Sequence, residues 1–298
     1  MRQKKFPRYV NETSGGWPAS QHSRSELPTM KLYQNGASAY MGGAGTHERS
    51  PRGNVIGWSA AAARRQRVWA WSIESGALTG YGYALTLTML NTPENAVELH
   101  KLRTQYEKRL ARMGSIRTHW VIEWQSRGTP HIHAAVYFPE KLPPLERLML
   151  SGNWVAVAGP VYGAARYGQD VKDIDGPLGW LQYLAKHATR GIAHYQRNGH
   201  PEGWDKTGRL WGHGGKWPIV DPVELDGLSN PEFYRLRRLM RKWAIADAQK
   251  KGDRARVVYL RNAPKRIDKT KSRFMGAAEW IPEEAMLRLV DLFERENR

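Results

Sequence analysis

The sequence predicts an α+β protein in which an antiparallel strand pair is combined with helices and followed by a basic, mainly helical C-terminal region. Three observations predict it. Residues 119–138 alternate with a period of two on either side of a turn, the pattern of a hairpin. Residues 93–113 and 177–190 carry apolar side chains at helical spacing. The element order up to the hairpin is strand, helix, strand, strand, and a long basic helix begins near residue 230.

Residues 1–52 are rich in Gly, Ser, Pro, Asn and Arg and show little periodicity, so they read as a flexible basic N-terminal arm. Residues 59–72 read as a helix, with Ser59 as its cap and a run of four alanines behind it. Arg64, Arg65 and Arg67 on that helix fit phosphate contact as well as they fit a solvated face. Residues 83–90 form a strand, with Leu85 and Leu87 on one side and Thr86 and Thr88 on the other. Thr92 and Pro93 are placed to open the next helix as cap and first residue, with Ala96, Leu99, Leu102 and Tyr106 on its apolar stripe. Gly114 ends it.

The hairpin follows. Its turn chemistry lies in Ser126, Arg127, Gly128, Thr129 and Pro130. If the strands pair symmetrically about that stretch, Gln125 faces His131 and Glu123 faces His133. One face then carries His131, His133, Glu123 and Gln125, and the other carries Ile122, Trp124, Ile132 and Ala134, which suit a core. Two imidazoles and a carboxylate on one face make a divalent-metal site with positions left open for substrate. A bare pair of histidines is more often structural; the acid aligned on the facing strand turns the reading to a metal site. Gln125 is the rival third ligand.

Beyond the hairpin, residues 144–150 read as a short helix, and residues 154–157 and 169–174 as strands. Residues 177–190 form an amphipathic helix with Leu178, Leu181, Leu184, Ala185 and Ala188 on one side. Tyr183, Lys186 and Arg190 fall opposite, where a core tyrosine would not sit. The glycine-rich run 208–218, with Arg209, reads as a phosphate cradle or as a tight loop around Trp211 and Trp217; its spacing is not that of a Walker A loop. In the basic helix from Asn230 to about residue 251, Phe233, Leu236, Met240 and Trp243 form the apolar stripe, and a small helix is expected over 281–296.

Composition narrows the function. The 298 residues carry a formal net charge of +18, which predicts a polyanionic partner, most often nucleic acid. The chain has no cysteine, which excludes disulfides, zinc-thiolate sites and thiol nucleophiles. No apolar run approaches the ~20 residues that cross a bilayer, so no membrane partner is expected.

Taken together, these motifs resemble the HUH endonuclease superfamily, in its rolling-circle replication-initiator (Rep) branch of filamentous-phage and plasmid type. Ala84, Leu85, Thr86, Leu87 and Thr88 resemble its first strand motif; His131, Ile132 and His133 are similar to its metal-binding motif; and Tyr183, Leu184, Ala185 and Lys186 resemble its Tyr-x-x-Lys nucleophile motif. Residues 208–212 look like a segment of filamentous-phage initiators. Relaxases place the tyrosine before the histidines, and two-tyrosine initiators carry a second tyrosine where Gly179 stands, so the resemblance points to a single nucleophile.

The resemblance implies an antiparallel sheet with the histidine strand near its centre and helices flanking it, a ferredoxin-like core over residues 53–218, with 219–298 as the basic C-terminal region. It implies nicking and rejoining of a single-stranded DNA origin through a 5′-phosphotyrosine on Tyr183, assisted by Lys186. Mg²⁺ or Mn²⁺ would be held by His131, His133 and Glu123, with Arg64, Arg65, Arg67, Arg127, Arg190 and Arg209 as DNA contacts. A host helicase and polymerase would act with it in a bacterial cytoplasm. Ligation requires neutral imidazoles, so activity is expected to fade below about pH 6. An HUH-type transposase and a non-catalytic DNA-binding regulator are the alternatives.

Overall fold

The computed structural model describes residues 29–40, 54–176, 179, 194–225, 230–250, 252–262, 277–280 and 288. The helix expected over 177–190 and the one expected over 281–296 lie outside the described residues, apart from Gly179 and Arg288. The chain divides into two compact units: residues 50–70 with 74–218, and residues 1–49 with 71–73 and 219–298.

The first of these units is built on a five-stranded antiparallel sheet. In chain order its strands are β3 (Tyr81–Leu87), β4 (Arg117–Trp124), β5 (Pro130–Phe138), β6 (Asp170–Ile174) and β7 (Trp211–Gly215). Their spatial order is β6-β3-β5-β4-β7, which puts the histidine strand β5 in the middle, as expected. Every residue of β5 is buried. Helix α1 (Ala60–Trp71) is capped as predicted, with the backbone N–H of Ala62 donating to Ser59 Oγ at 3.1 Å.

Helix α2 (Ala96–Arg112) buries Leu99, Leu102, Tyr106 and Leu110. Its cap is Asn95, not Thr92: Asn95 Oδ1 accepts from the backbone N–H of Glu98 at 3.1 Å. Thr92 instead shares a 2.8 Å hydrogen bond with Thr129 of the hairpin loop, so tertiary contact claims the hydroxyl that local pattern assigned to the cap.

Three other elements differ from the sequence reading. Strand β3 stops at Leu87 because Thr88 leaves the ladder: its N–H donates to Gln169 Oε1 at 2.8 Å and its hydroxyl donates to the carbonyl of Gly168 at 2.7 Å. Residues 144–150 and 154–157 belong to one helix, α3 (Pro144–Tyr162). Leu150, Trp154 and Ala158 are its buried stripe at a spacing of four, a pattern that Gly152, Pro160 and the alternation of Val155, Ala156 and Val157 obscure. The glycine-rich run is edge strand β7 rather than a loop. Its glycines permit a close approach, because a Cβ on Gly212 would fall 2.6 Å from the Trp120 ring.

The second unit contains a four-stranded sheet of order β8-β1-β2-β9, formed by β1 (Thr29–Tyr33), β2 (Gly36–Tyr40), β8 (Val223–Leu225) and β9 (Ala277–Trp280). Residues 29–40, expected within a flexible arm, form strands instead. The C-terminal region, expected to be mainly helical, contributes two strands beside helices Asn230–Lys250 and Arg254–Asn262. Strand β2 reads Gly-Ala-Ser-Ala-Tyr and shows no apolar period, because small residues are what its packing requires. A Cβ on Gly36 would fall 2.3 Å from the Trp71 ring. Phe233 and Met240 of the basic helix are buried, as its stripe predicts.

Candidate metal centre

Strands β4 and β5 pair with Glu123 opposite His131, Val121 opposite His133 and Trp124 opposite Pro130. This register is two residues away from the symmetric one expected. The reason is the loop. The backbone N–H of Gly128 donates to the Gln125 carbonyl at 2.9 Å, the N–H of Gln125 donates to the Thr129 carbonyl at 2.9 Å, and Gly128 has φ +83°. That is a type I turn followed by a left-handed glycine, which centres a three-residue loop on Arg127 and not on Gly128. A shift of two leaves each side chain on its face. Gln125, the rival third ligand, lies one position past the last pair of the ladder.

Glu123, His131 and His133 converge, all buried, with one potential ligand atom from each lying within 4.8 Å of the others. The two imidazole Nε2 atoms stand 2.8 Å apart, and His133 Nε2 is 3.7 Å from Glu123 Oε2. Two nitrogens bound at right angles to one ion with bonds of about 2.1 Å lie about 3 Å apart, so this spacing fits ligation. Thr86 Oγ1 lies 3.2 Å from His133 Nδ1. A proton on Nδ1 donated to that hydroxyl leaves the Nε2 lone pair for a metal. The donor set, two imidazoles and a carboxylate, suits a divalent cation with several positions left for substrate oxygens.

Behind the cluster stands Arg197. Its Nε donates to Glu123 Oε1 at 2.9 Å, and neither side chain is exposed to solvent. Sequence reasoning missed Arg197, because the stretch around it shows neither periodicity nor a motif. Two other histidines on the sheet have different work. His119 and His213 lie 4.7 and 4.6 Å from the Trp69 ring, near-parallel to it, and form an aromatic support further along the β4–β7 pair.

The family model of the replication-associated proteins of ORF2 type matches residues 82–215, a span that holds all three converging side chains. A putative replication protein of Xylella fastidiosa strain 9a5c is 42% identical over 270 residues, covering 88% of this chain and 94% of its own. The chain belongs to this family of replication-associated proteins. A replication-associated protein of Pseudomonas phage Pf3 is 40% identical over 260 residues, covering 86% of this chain and 91% of that one. A putative replication protein of Xylella fastidiosa strain Temecula1 is likewise 40% identical, with 99% of its length covered. No solved structure matches. The expected kinship with filamentous-phage and plasmid replication initiators is therefore borne out.

In this replication-associated protein the other predicted site residues are dispersed. Tyr183, Lys186 and Arg190 lie outside the described residues. Arg64 and Arg65 are exposed on α1, and Arg67 is half-buried. Arg127 turns back on the hairpin, donating to Thr129 Oγ1 at 3.2 Å and to the Met89 carbonyl. Arg209 lines a groove of about 510 Å³ on the α2 side of the sheet, with His100, Arg103 and Trp120. Glu123, His131 and His133 do not line that groove. Burial holds His100 below the usual histidine range, and the Thr207 carbonyl 3.0 Å from its Nε2 partly opposes the shift. Among the described residues, no helix is long and apolar enough to cross a membrane.

Proposed function

We propose that this replication-associated protein nicks and rejoins single-stranded origin DNA through a covalent phosphotyrosine. The observation that carries the reading is the buried Glu123, His131 and His133 cluster inside the segment that matches the replication-associated family. Three ionisable groups buried together on one sheet face are costly unless they bind something.

Tyr183 is the nucleophile in this reading. Its phenolic oxygen bonds to phosphorus, the bond from phosphorus to the 3′ oxygen breaks, and that oxygen leaves with a proton as a free 3′-OH. The 5′ end stays on the tyrosine, and the 3′-OH primes synthesis. A later 3′-OH attacks the phosphotyrosine, reforms the phosphodiester and restores the phenol, so the strand is rejoined without a nucleotide cofactor. A phenol with a pKa near ~10 is a weak nucleophile at neutral pH, so the reaction needs electrostatic help. Mg²⁺ or Mn²⁺ held by His131, His133 and Glu123 would polarise the scissile phosphate. Lys186, three residues along from Tyr183, would offset charge on the phenolate or on the phosphate. Arg64, Arg65, Arg67, Arg127, Arg190 and Arg209 are proposed phosphate contacts, in keeping with the net charge of +18. The protein would act in a bacterial cytoplasm with a host helicase and polymerase.

The test is incubation with a labelled single-stranded DNA library and Mn²⁺, followed by sequencing of the covalently trapped DNA. The unaltered protein is expected to trap one sequence class, and Tyr183→Phe is expected to bind that DNA but trap none. A protein that binds DNA and never cleaves it under any divalent metal would mark a regulator instead.

A further inference from the structure

The most unusual group near the site is one that the proposed chemistry leaves without a role. Arg197 is a fully buried cation, and Glu123 is a fully buried anion 2.9 Å from it. A buried ion pair is a poor way to stabilise a core, since well-packed apolar residues of the same volume do as well or better. Here the anion is also a member of the metal cluster.

The surroundings of Arg197 fix it tightly. The guanidinium carbon lies 4.0 Å over the Trp58 ring, and Trp58 is itself anchored by a 2.9 Å hydrogen bond from its Nε1 to the carbonyl of Ile122. Arg197 Nη2 reaches Gln66 Oε1 of α1 at 3.4 Å. The backbone on either side is stitched to the end of β4 through a single residue. Trp124 donates its N–H to the Gln196 carbonyl at 2.8 Å and its Nε1–H to the Gly199 carbonyl at 3.0 Å. Arg197 lies between those two anchors, and Glu123 is the residue before Trp124. The guanidinium is thus delivered to the carboxylate by backbone, aromatic and amide contacts together.

We infer that Arg197 is a positioning residue of the metal centre, which holds Oε1 of Glu123 so that the carboxylate ligates through Oε2 alone. Oε2 is the oxygen that faces His133, at 3.7 Å from its Nε2. A carboxylate restrained in this way takes one coordination position instead of two. The protein then fills three positions of an octahedral ion and leaves the remainder to substrate oxygens and water. Without the guanidinium, Glu123 is free to swing or to chelate through both oxygens, and the uncompensated buried carboxylate repacks.

This inference rests on the metal reading of the cluster, and the experiment separates the two. Mn²⁺ binding to the full chain is followed by calorimetry and by electron paramagnetic resonance, for the unaltered protein, His131→Ala, Glu123→Gln, Arg197→Met, Arg197→Lys and the Glu123→Gln/Arg197→Met pair. Partners that orient a metal ligand typically contribute about 10–100-fold in affinity, so Arg197→Met is expected to raise the Mn²⁺ Kd by that factor and to alter the resonance line shape. Arg197→Lys, which keeps the charge but loses the fork, is expected to recover part of the loss. The double variant is expected to bind no more weakly than Glu123→Gln alone, because Arg197 acts through Glu123. Should Arg197→Met and Arg197→Lys lower the thermal midpoint of the metal-free protein and leave the Mn²⁺ Kd and line shape unchanged, Arg197 is a structural residue and the inference fails. If Arg197→Met does not fold, Arg197→Lys decides alone: an unchanged Kd overturns the inference. If the unaltered protein binds no Mn²⁺ that His131→Ala abolishes, the metal reading itself is at fault.

Discussion

The two faces of the five-stranded sheet are made by the same strands and differ in almost every physical respect. The face covered by α2 and α3 is apolar: Leu85, Leu87, Ile122, Trp124 and Ile132 are buried in one cluster with Leu99, Tyr106, Leu150 and Trp154. The other face is just as dry over part of its area, yet it holds Glu123, His131, His133 and Arg197, all buried. Alternation along a strand explains why a polar face exists. It does not explain why that face is taken out of water. Polar residues that are merely solvated stay exposed; polar residues that are buried and converge indicate a ligand.

Disrupting one face at a time should therefore separate activity from stability. The largest effect is expected from His131→Ala or His133→Ala, which should lower metal-dependent nicking roughly 10³-fold or more while thermal unfolding of the metal-free protein stays close to that of the parent. A steady-state nicking assay beside a melting curve checks both halves. On the apolar face, Trp154→Ala removes a fully buried ring and its 2.9 Å hydrogen bond to the Thr88 carbonyl. It should destabilise the fold by about 3–5 kcal/mol in urea titration. Where this variant is folded, its Mn²⁺ affinity should match the parent's.

Smaller changes sharpen the contrast. Asn95→Ala deletes the cap of α2 and should cost about 1 kcal/mol of stability, with the nicking rate of the folded protein unchanged. His100 on α2 supplies a pH signature. Burial holds it below its ordinary value of 6.5, so below about pH 6.5 the unfolded chain takes up a proton that the native protein refuses. Stability should therefore fall as pH drops through that value, and His100→Gln should flatten that part of the curve in thermal melts. A steeper fall in His100→Gln than in the parent would contradict the assignment.

Much of this contrast is legible in the sequence. The alternation of residues 119–138 puts Glu123, His131 and His133 on one face, and an error of two in register cannot move them, because strand faces repeat every two residues. The register itself is not legible without knowing that Gly128 takes the left-handed position of the turn. Helix α3 reads as two pieces because Gly152 and Pro160 interrupt a stripe that only the buried Leu150, Trp154 and Ala158 reveal. Strands β2 and β7 are hidden for a shared reason: where a tryptophan lies flat on a strand, glycine replaces the apolar residues that would have marked it. Arg197 cannot be read at all, since its importance lies in a contact with Glu123, 74 positions away.

The central claim is that the polar face holds a metal that helps Tyr183 attack DNA. The most direct measurement is mass spectrometry of the peptide that carries DNA after incubation with a cleavable single strand and Mn²⁺. The adduct is expected on Tyr183 in the unaltered protein, and is expected to be absent when metal is chelated and absent in His133→Ala. An adduct on Tyr167, Tyr195 or any other residue, or one that forms equally well without metal, would contradict it.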